Sequence, residues 1–171
     1  PELPEVETIK KGLVSKLINT QIEELKIIYP KIIITSLGEF KKLVQGQTVA
    51  GLKRHGKYLF IILANSFSMV IHLRMTGQLF FVSRDKDPDK HTHLEFYLNL
   101  CKDKLVYRDI RKFGRFELIK ESDIEDYINT KKLAPDALAI NFNTFCENIK
   151  NKKTSIKNAL LSQDVVAGLG N

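Results

Sequence analysis

Hydrophobic residues at the start of the chain recur with the period of an α-helix. Four of them follow one another at steps of three or four positions: Val6, Ile9, Leu13 and Leu17. This spacing places them on one face of a helix. Acidic residues precede the segment and lysines follow it, which is the charge order that a helix dipole favours. The pattern therefore predicts a helix over residues 5–18 with one buried face.

Between residues 21 and 118, short runs of β-branched and aromatic residues alternate with turn-forming residues. The runs predict strands at residues 32–35, 58–63, 69–73, 79–82, 94–98, 105–107 and 116–119. One segment with helical spacing, residues 36–44, interrupts them. Turns at regular intervals between short strands are typical of an antiparallel sandwich or barrel. We therefore predict an antiparallel β-sandwich flanked by helices.

After residue 121 the apolar residues return to helical steps, around residues 124–128, 142–149 and 156–161. Thr144 and Thr154 are predicted to begin helices, and Pro135 is predicted to separate two helical pieces. The chain is therefore predicted to be of the α+β class. We place the β-sandwich domain at residues 1–130 and a helical part at residues 131–171.

Composition and charge restrict the classes of protein that fit this pattern. Hydrophobic residues make up 43% of the chain and charged residues 27%, a balance typical of a globular protein. Lys and Arg number 27 against 20 Asp and Glu, and the resulting net charge of +7 favours a polyanionic partner, nucleic acid first. The longest apolar run, residues 58–64, is too short to span a membrane, so no membrane partner is predicted.

Location and metal content are predicted from the acidic residues and the cysteines. Acidic residues stand at positions 2, 5 and 7, where a signal peptide has positive charge, so a cytoplasmic protein is predicted. Cys101 and Cys146 belong to no CxxC pair. They predict neither a disulfide framework nor a metal site within the chain.

The first two residues are of the types that an amine-based mechanism needs. A terminal proline is a secondary amine that is partly neutral at pH 7, unlike a lysine, and it can attack an aldehyde-like carbon. Attack on C1′ of a deoxyribose gives a cationic iminium, so that the base is expelled and loss of the C2′ proton eliminates the 3′ phosphate. Glu2 is placed to serve as a general acid. On this hypothesis Pro1 supports both base excision and strand scission.

Basic residues cluster in segments that fit a duplex-binding surface: residues 53–58, 72–75, 108–115 and 150–157. Cations contact phosphates, and an apolar side chain beside a cation can fill the gap that an extruded base leaves. Gly168 and Gly170 are predicted to turn backbone N–H groups toward an anion. Taken singly, each of these segments is more typical of a solvated surface or of ordinary core packing.

Taken together and in order, these segments resemble the formamidopyrimidine-DNA glycosylase family, bacterial repair enzymes that remove 8-oxoguanine and ring-opened purines. The matching segments are PELPEVET at 1–8, KRHGKYL at 53–59, IHLRMTG at 71–77, KHTH at 90–93, RDIRKFG at 108–114 and KKTSIKNALLSQDVVAGLGN at 152–171. The resemblance implies a catalytic β-sandwich domain at residues 1–130. It also implies that residues 131–171 begin a helix-two-turn-helix DNA-binding domain, with DNA in the cleft between the two.

The resemblance also implies roles for single residues. By it, Pro1 is the Schiff-base nucleophile, Glu2 the acid acting on the sugar and Lys57 a phosphate contact and proton donor, with Glu5 as a supporting carboxylate. The void in the duplex is filled by Met75, Arg111 and Phe113, and Arg111 faces the orphaned cytosine. The other implied DNA contacts are His72, Arg74, His91, Lys152, Lys153, Lys157 and Asn171.

The activity implied is excision of oxidised purines from damaged double-stranded DNA through a Pro1 Schiff base, followed by β,δ-elimination. The resemblance further implies a monomer associated with the bacterial nucleoid through DNA. Relatives carry a four-cysteine zinc finger beyond the position of Asn171, so one zinc ion is expected there and none among these residues. Two alternatives stay open: an endonuclease VIII-like glycosylase for oxidised pyrimidines, and a non-catalytic module that binds duplex DNA.

Overall fold

Two four-stranded antiparallel sheets form the main body of the protein, in a computed structural model that describes residues Pro1–Asn171. The first sheet has the order β1-β6-β7-β5 and comprises β1 (Ile22–Ile27), β5 (Gly77–Ser83), β6 (Thr92–Leu98) and β7 (Asp103–Asp109). The second has the order β2-β3-β4-β8 and comprises β2 (Val49–His55), β3 (Tyr58–Leu63), β4 (Phe67–His72) and β8 (Arg115–Lys120). The predicted α+β class with an antiparallel sandwich is confirmed.

Five α-helices accompany the sheets: α1 (Leu3–Leu17), α2 (Leu37–Val44), α3 (Ile124–Thr130), α4 (Phe142–Ile149) and α5 (Ile156–Leu161). Two short 3₁₀ turns, Pro30–Ile32 and Glu121–Asp123, lie between elements. None of the helices combines the length and the apolar character needed to cross a bilayer.

The main core includes residues from both sheets and from the first two helices. Helix α1 contributes Val6, Leu13 and Leu17 to a cluster of 23 buried residues, and α2 contributes Phe40 and Val44. The buried face predicted for the first helix is therefore confirmed. Burial of these side chains is the main force that holds both helices on the sandwich.

Two smaller clusters organise the second part of the chain. Ile124 and Ile128 of α3 pack against side chains of β3 and β4, so α3 lies against the second sheet. Beyond it, Ala159, Val165 and Val166 form a separate small core against α4. The domain boundary between residues 130 and 131 stays a prediction.

Some local predictions are wrong. Residues 32–35 form no strand, because Pro30 begins a 3₁₀ turn and only Ile33 makes a single bridge, to Phe116. Strands β1 and β2 were not predicted, since charged residues interrupt their apolar pattern.

The predicted starts of the last two helices are also wrong. Helix α4 begins after Asn141, whose side chain accepts a hydrogen bond from the Thr144 N–H at 2.8 Å, and α5 is capped by Ser155 rather than by Thr154. Both caps are better acceptor positions than the predicted ones, because each oxygen reaches the N–H three residues on.

Candidate functional site

An open cleft of about 1240 Å³ lies between one end of the sandwich and residues 131–171. Nine of the residues singled out from the sequence line this cleft: Pro1, Glu2, Glu5, Lys57, His72, Arg74, Met75, Phe113 and Asn171. Five do not: His91, Arg111, Lys152, Lys153 and Lys157. The cleft therefore gathers the four residues implied in catalysis together with part of the implied DNA-contacting set.

The first residues are held at the start of α1 by backbone contacts. The Glu2 N–H donates to the Glu5 carboxylate at 2.6 Å, as in a helix capping box, and the Leu3 N–H donates to the Gly168 carbonyl at 3.1 Å. The backbone of Glu2 and Leu3, directly after Pro1, is thus held from the helix side and by the segment at residues 168–170. Glu5 acts here as a support for Glu2, consistent with the role that the resemblance implies.

The glycine-rich segment at residues 168–170 packs on this first turn. Gly168 has a φ of +110°, and a Cβ there would collide with the Leu3 side chain, while a Cβ at Gly170 would collide with Glu2. The Gly168 N–H donates to the Gln163 side chain at 2.9 Å. The prediction that this N–H turns toward an anion is therefore wrong, and the glycines serve close approach of the two segments instead.

Lys57 projects from the two-residue turn between β2 and β3. Gly56 adopts a left-handed φ of +57° in this turn, and its N–H donates to the Asp136 carboxylate at 2.7 Å. Burial lowers the pKa of Lys57, although the nearby Glu2 carboxylate acts in the opposite direction. A lowered pKa makes the Lys57 ammonium a better proton donor than an ordinary lysine.

His72 ends β4 beside Lys57 and presents one ring nitrogen to the protein. Its Nδ1 accepts a hydrogen bond from the Arg74 N–H at 3.1 Å, so the neutral ring carries its proton on Nε2. Burial, together with the charges of Arg74 and Lys57, lowers the pKa of His72 to about 3. The imidazole is therefore a neutral donor at physiological pH, which can bind a phosphate oxygen without adding charge.

We expect this histidine to make the protein less stable in mild acid. Its folded pKa lies below its unfolded value, so the unfolded state binds more protons and stability falls as the pH drops below about 6.5. The expected loss by pH 5 is about 2 kcal/mol. Urea unfolding of His72→Gln at pH 7 and pH 5 should show a smaller loss than the wild type. Equal losses in the two proteins would contradict this assignment.

The implied void-filling residues lie in two adjacent connections between the sheets. Met75 is 68% exposed in the turn between β4 and β5, and Phe113 is 48% exposed in the loop between β7 and β8. The Arg111 guanidinium stacks over the Phe113 ring at 4.7 Å from its centroid. His72 is the last residue of β4, whereas Arg74 lies in the turn that follows, with a φ of +56°. Both residues reach the cleft all the same.

The remaining predicted contacts lie outside the cleft. Lys152 pairs with Asp164 at 2.5 Å, whereas Lys153 and Lys157 are exposed. The His91 N–H donates to Asp89 at 2.8 Å, just before β6 begins. Their roles in DNA binding stay predictions.

Sequence reasoning missed an ion-pair cluster behind the cleft. The Arg54 Nε donates to Glu7 at 2.5 Å, and its Nη1 and Nη2 both donate to Asp136. The Arg54 side chain is only 6% exposed. A basic residue in a charged hairpin is usually solvated, so the one sequence signal for Arg54 is its place in the motif at residues 53–59.

The sequence and the structure are similar to the same group of known proteins. Residues 1–116 match the model described as the formamidopyrimidine-DNA glycosylase N-terminal domain. Formamidopyrimidine-DNA glycosylase of Streptococcus agalactiae (strain NEM316) is 42% identical over 173 residues, which cover 100% of this chain and 63% of that protein. The chain thus spans less than two thirds of the length of this relative.

Two solved structures of the Lactococcus lactis protein Fpg superpose on the whole chain with a TM-score of 0.94 at 35% identity. In one, the wild-type protein, of which this chain covers 64%, is bound to DNA containing an oxidised pyrimidine. In the other, a point variant, of which it covers 63%, is bound to DNA containing Fapy-dG.

Proposed function

The chain belongs to the formamidopyrimidine-DNA glycosylase family, as its motifs predicted, and we propose that it acts in base-excision repair on oxidised purines, as a DNA glycosylase and abasic-site lyase. One observation carries this proposal. Pro1, Glu2 and Lys57 line the same cleft as the exposed Met75 and Phe113, so residues suited to sugar chemistry and to filling a duplex lie together.

The chemistry follows from the residue types in the cleft. The Pro1 nitrogen forms a bond to C1′ of the damaged nucleotide as the C1′–N bond to the base breaks, and the electron pair of that bond and the amine proton go to the base. Glu2 then protonates O4′, the C1′–O4′ bond breaks, and the Pro1 nitrogen lone pair forms the iminium. The iminium that remains draws electrons from C2′, whose proton is lost as the 3′ phosphate leaves. A second elimination releases the 5′ phosphate, and water then hydrolyses the iminium and restores the amine.

Lys57 and His72 are suited to hold the phosphates that leave. The Lys57 ammonium can contact a phosphate through its charge. Its lowered pKa makes it a better donor of a proton to the phosphate oxygen as the C–O bond breaks. The neutral His72 adds an N–H donor without a second full charge beside it. The net charge of +7 favours approach of the polyanionic duplex.

Trapping with borohydride tests the mechanism. Borohydride added to a reaction of the full-length protein with an 8-oxoguanine duplex should reduce the iminium and leave a covalent protein–DNA adduct, whose peptide map carries the DNA on Pro1. Acetylation of the terminal amine should abolish the adduct. An adduct that forms after acetylation would contradict Pro1 as the nucleophile, and binding with steep salt dependence but no cleavage would favour the non-catalytic module.

A second substrate class is favoured by one specific observation. The Lactococcus lactis relative has been solved with DNA that contains an oxidised pyrimidine. The sequence LPEVE at residues 3–7 and the trio of Met75, Arg111 and Phe113 support oxidised purines as the substrate instead. Excision rates on matched duplexes with 8-oxoguanine and with thymine glycol decide between them, and faster excision of thymine glycol would favour the pyrimidine assignment.

We also propose that the zinc ion expected from the family is bound outside residues 1–171. Among these residues, no three His, Cys, Asp or Glu side chains come close enough to hold a metal ion, and Cys101 and Cys146 are free thiols. The residues present therefore do not fit a zinc site. The full-length protein with Cys101→Ser and Cys146→Ser should retain its zinc in metal analysis, and loss of the zinc would contradict this.

A further inference from the structure

The two connections that carry the implied void-filling residues meet at one buried carboxylate. Asp109 ends β7 and pairs in register with Gly77 at the start of β5, directly after the Met75 turn. Its own chain continues into the loop that carries Arg111 and Phe113. Asp109 is completely buried, so it reaches the cleft only through its neighbours.

Four donors converge on the Asp109 carboxylate. Its Oδ1 accepts from the Thr76 hydroxyl at 2.5 Å and from the Arg111 N–H at 3.2 Å. Its Oδ2 accepts from the Tyr107 hydroxyl and from the Gly114 N–H, both at 2.8 Å. The Arg111 N–H also donates to the Thr76 hydroxyl at 3.1 Å, which joins the turn and the loop directly.

All four donors are neutral, and Asp109 forms no ion pair. Burial alone would raise the pKa of Asp109, but the hydrogen bonds from Thr76, Gly114 and Tyr107 outweigh it and lower that pKa. The charged form is therefore the one that the loop is built around. A Cβ at Gly114 would collide with the Tyr107 hydroxyl, so the loop closes on this carboxylate without spare space.

We infer that Asp109 is a positioning residue for recognition of the base opposite the lesion, fixing the Met75 turn and the Arg111–Phe113 loop as one unit. This role rests on the proposed function and specifies how its selectivity arises. Arg111 can donate to the orphaned cytosine with fixed geometry only if its backbone is held, and Met75 must enter the same void beside it. The hydrogen bonds from Thr76 and Arg111 to one carboxylate meet both needs.

Asp109→Asn tests this role in the full-length protein. An amide matches the carboxylate in size, but its NH₂ cannot accept from the donors at that end. The readout is the ratio of dissociation constants for a duplex with a tetrahydrofuran abasic analogue opposite adenine and opposite cytosine. We expect the wild type to prefer cytosine and the variant to lose about tenfold of that preference, in line with the loss of one oriented base contact.

Two matched variants separate positioning from folding. Tyr107→Phe removes one donor that lies in neither connection and should leave the ratio within about twofold, whereas Thr76→Val removes the link to the Met75 turn and should lower it. A general loss of stability lowers the melting temperature and weakens both duplexes in parallel, with the ratio unchanged. If Asp109→Asn does not fold, Thr76→Val carries the test.

Binding to the uncleavable analogue keeps this test independent of the chemistry. A wild type that discriminates the opposite base but excises nothing rejects the proposed function and leaves the role of Asp109 to be judged on the ratio. An unchanged ratio in folded Asp109→Asn and Thr76→Val overturns the role of Asp109, whatever the excision rates are. So does a wild type that binds both duplexes equally.

Discussion

Replacing Glu2 with glutamine is expected to lower the rate of base excision by about 10²–10⁴-fold, the range typical of losing a general acid. Glutamine preserves the size of the side chain and its packing on Gly170, but its amide protons are not acidic enough to be transferred to O4′. The loss should fall on kcat, because the acid acts only as the sugar ring opens. Single-turnover excision of 8-oxoguanine from a duplex by the full-length protein measures it.

The same variant should cleave a preformed abasic site far better than it excises a base. An abasic sugar already exists partly as an open aldehyde, which Pro1 can attack without help from an acid. Glu5→Gln is the matched control, since its amide oxygen can still accept the Glu2 N–H and it should lose less than Glu2→Gln. Equal losses on the two substrates would show that Glu2 holds Pro1 in place rather than acting on the sugar.

The strands that could be predicted from sequence are those whose apolar runs are continuous. Residues 58–63 form β3 with the predicted limits, because five of its six residues are buried. Strands β1 and β2 lie at the edges of their sheets, where polar residues face solvent, and their sequences look like loops. The strand predicted at residues 32–35 is wrong because its apolar pattern reflects burial and not a strand. Ile32 is buried but lies in a 3₁₀ turn.

The site could be predicted only where a residue's role depends on its local motif. Pro1, Glu2 and Lys57 belong to motifs that the family resemblance identifies, and all three line the cleft. The partners that hold the site are long-range. Asp136 is 82 positions from Arg54, and Thr76 is 33 positions from Asp109. Neither helical nor strand periodicity reports such pairs, since both periods describe one element at a time.

Replacing Arg54 with methionine is expected to destabilise the protein by about 3–5 kcal/mol, the cost of leaving a buried partner unpaired. Methionine fills much of the space but leaves the Glu7 and Asp136 carboxylates without their cation. Equilibrium unfolding in urea at pH 7 measures the loss. Lys10→Met is the matched control, because Lys10 contacts Glu7 at 3.8 Å from a more exposed position and should cost about 1 kcal/mol or less.

Lowering the pH should narrow the difference in the free energy of unfolding between Arg54→Met and the wild type. The hydrogen bond from Arg54 lowers the pKa of Glu7, and hydrogen bonds from Arg54 and Gly56 lower the pKa of Asp136 against the effect of burial. A carboxylate with a lowered folded pKa stabilises the protein above its unfolded pKa of about 4, and that stability is lost as the pH falls through the folded value. The wild type therefore has more stability to lose below pH 4 than the variant. A gap that stays constant from pH 7 to pH 3 would show that Arg54 acts through packing alone. Asp136 also accepts a hydrogen bond from the Gly56 N–H, in the turn that carries Lys57. Loss of the Arg54 ion pairs is therefore expected to displace Lys57 as well.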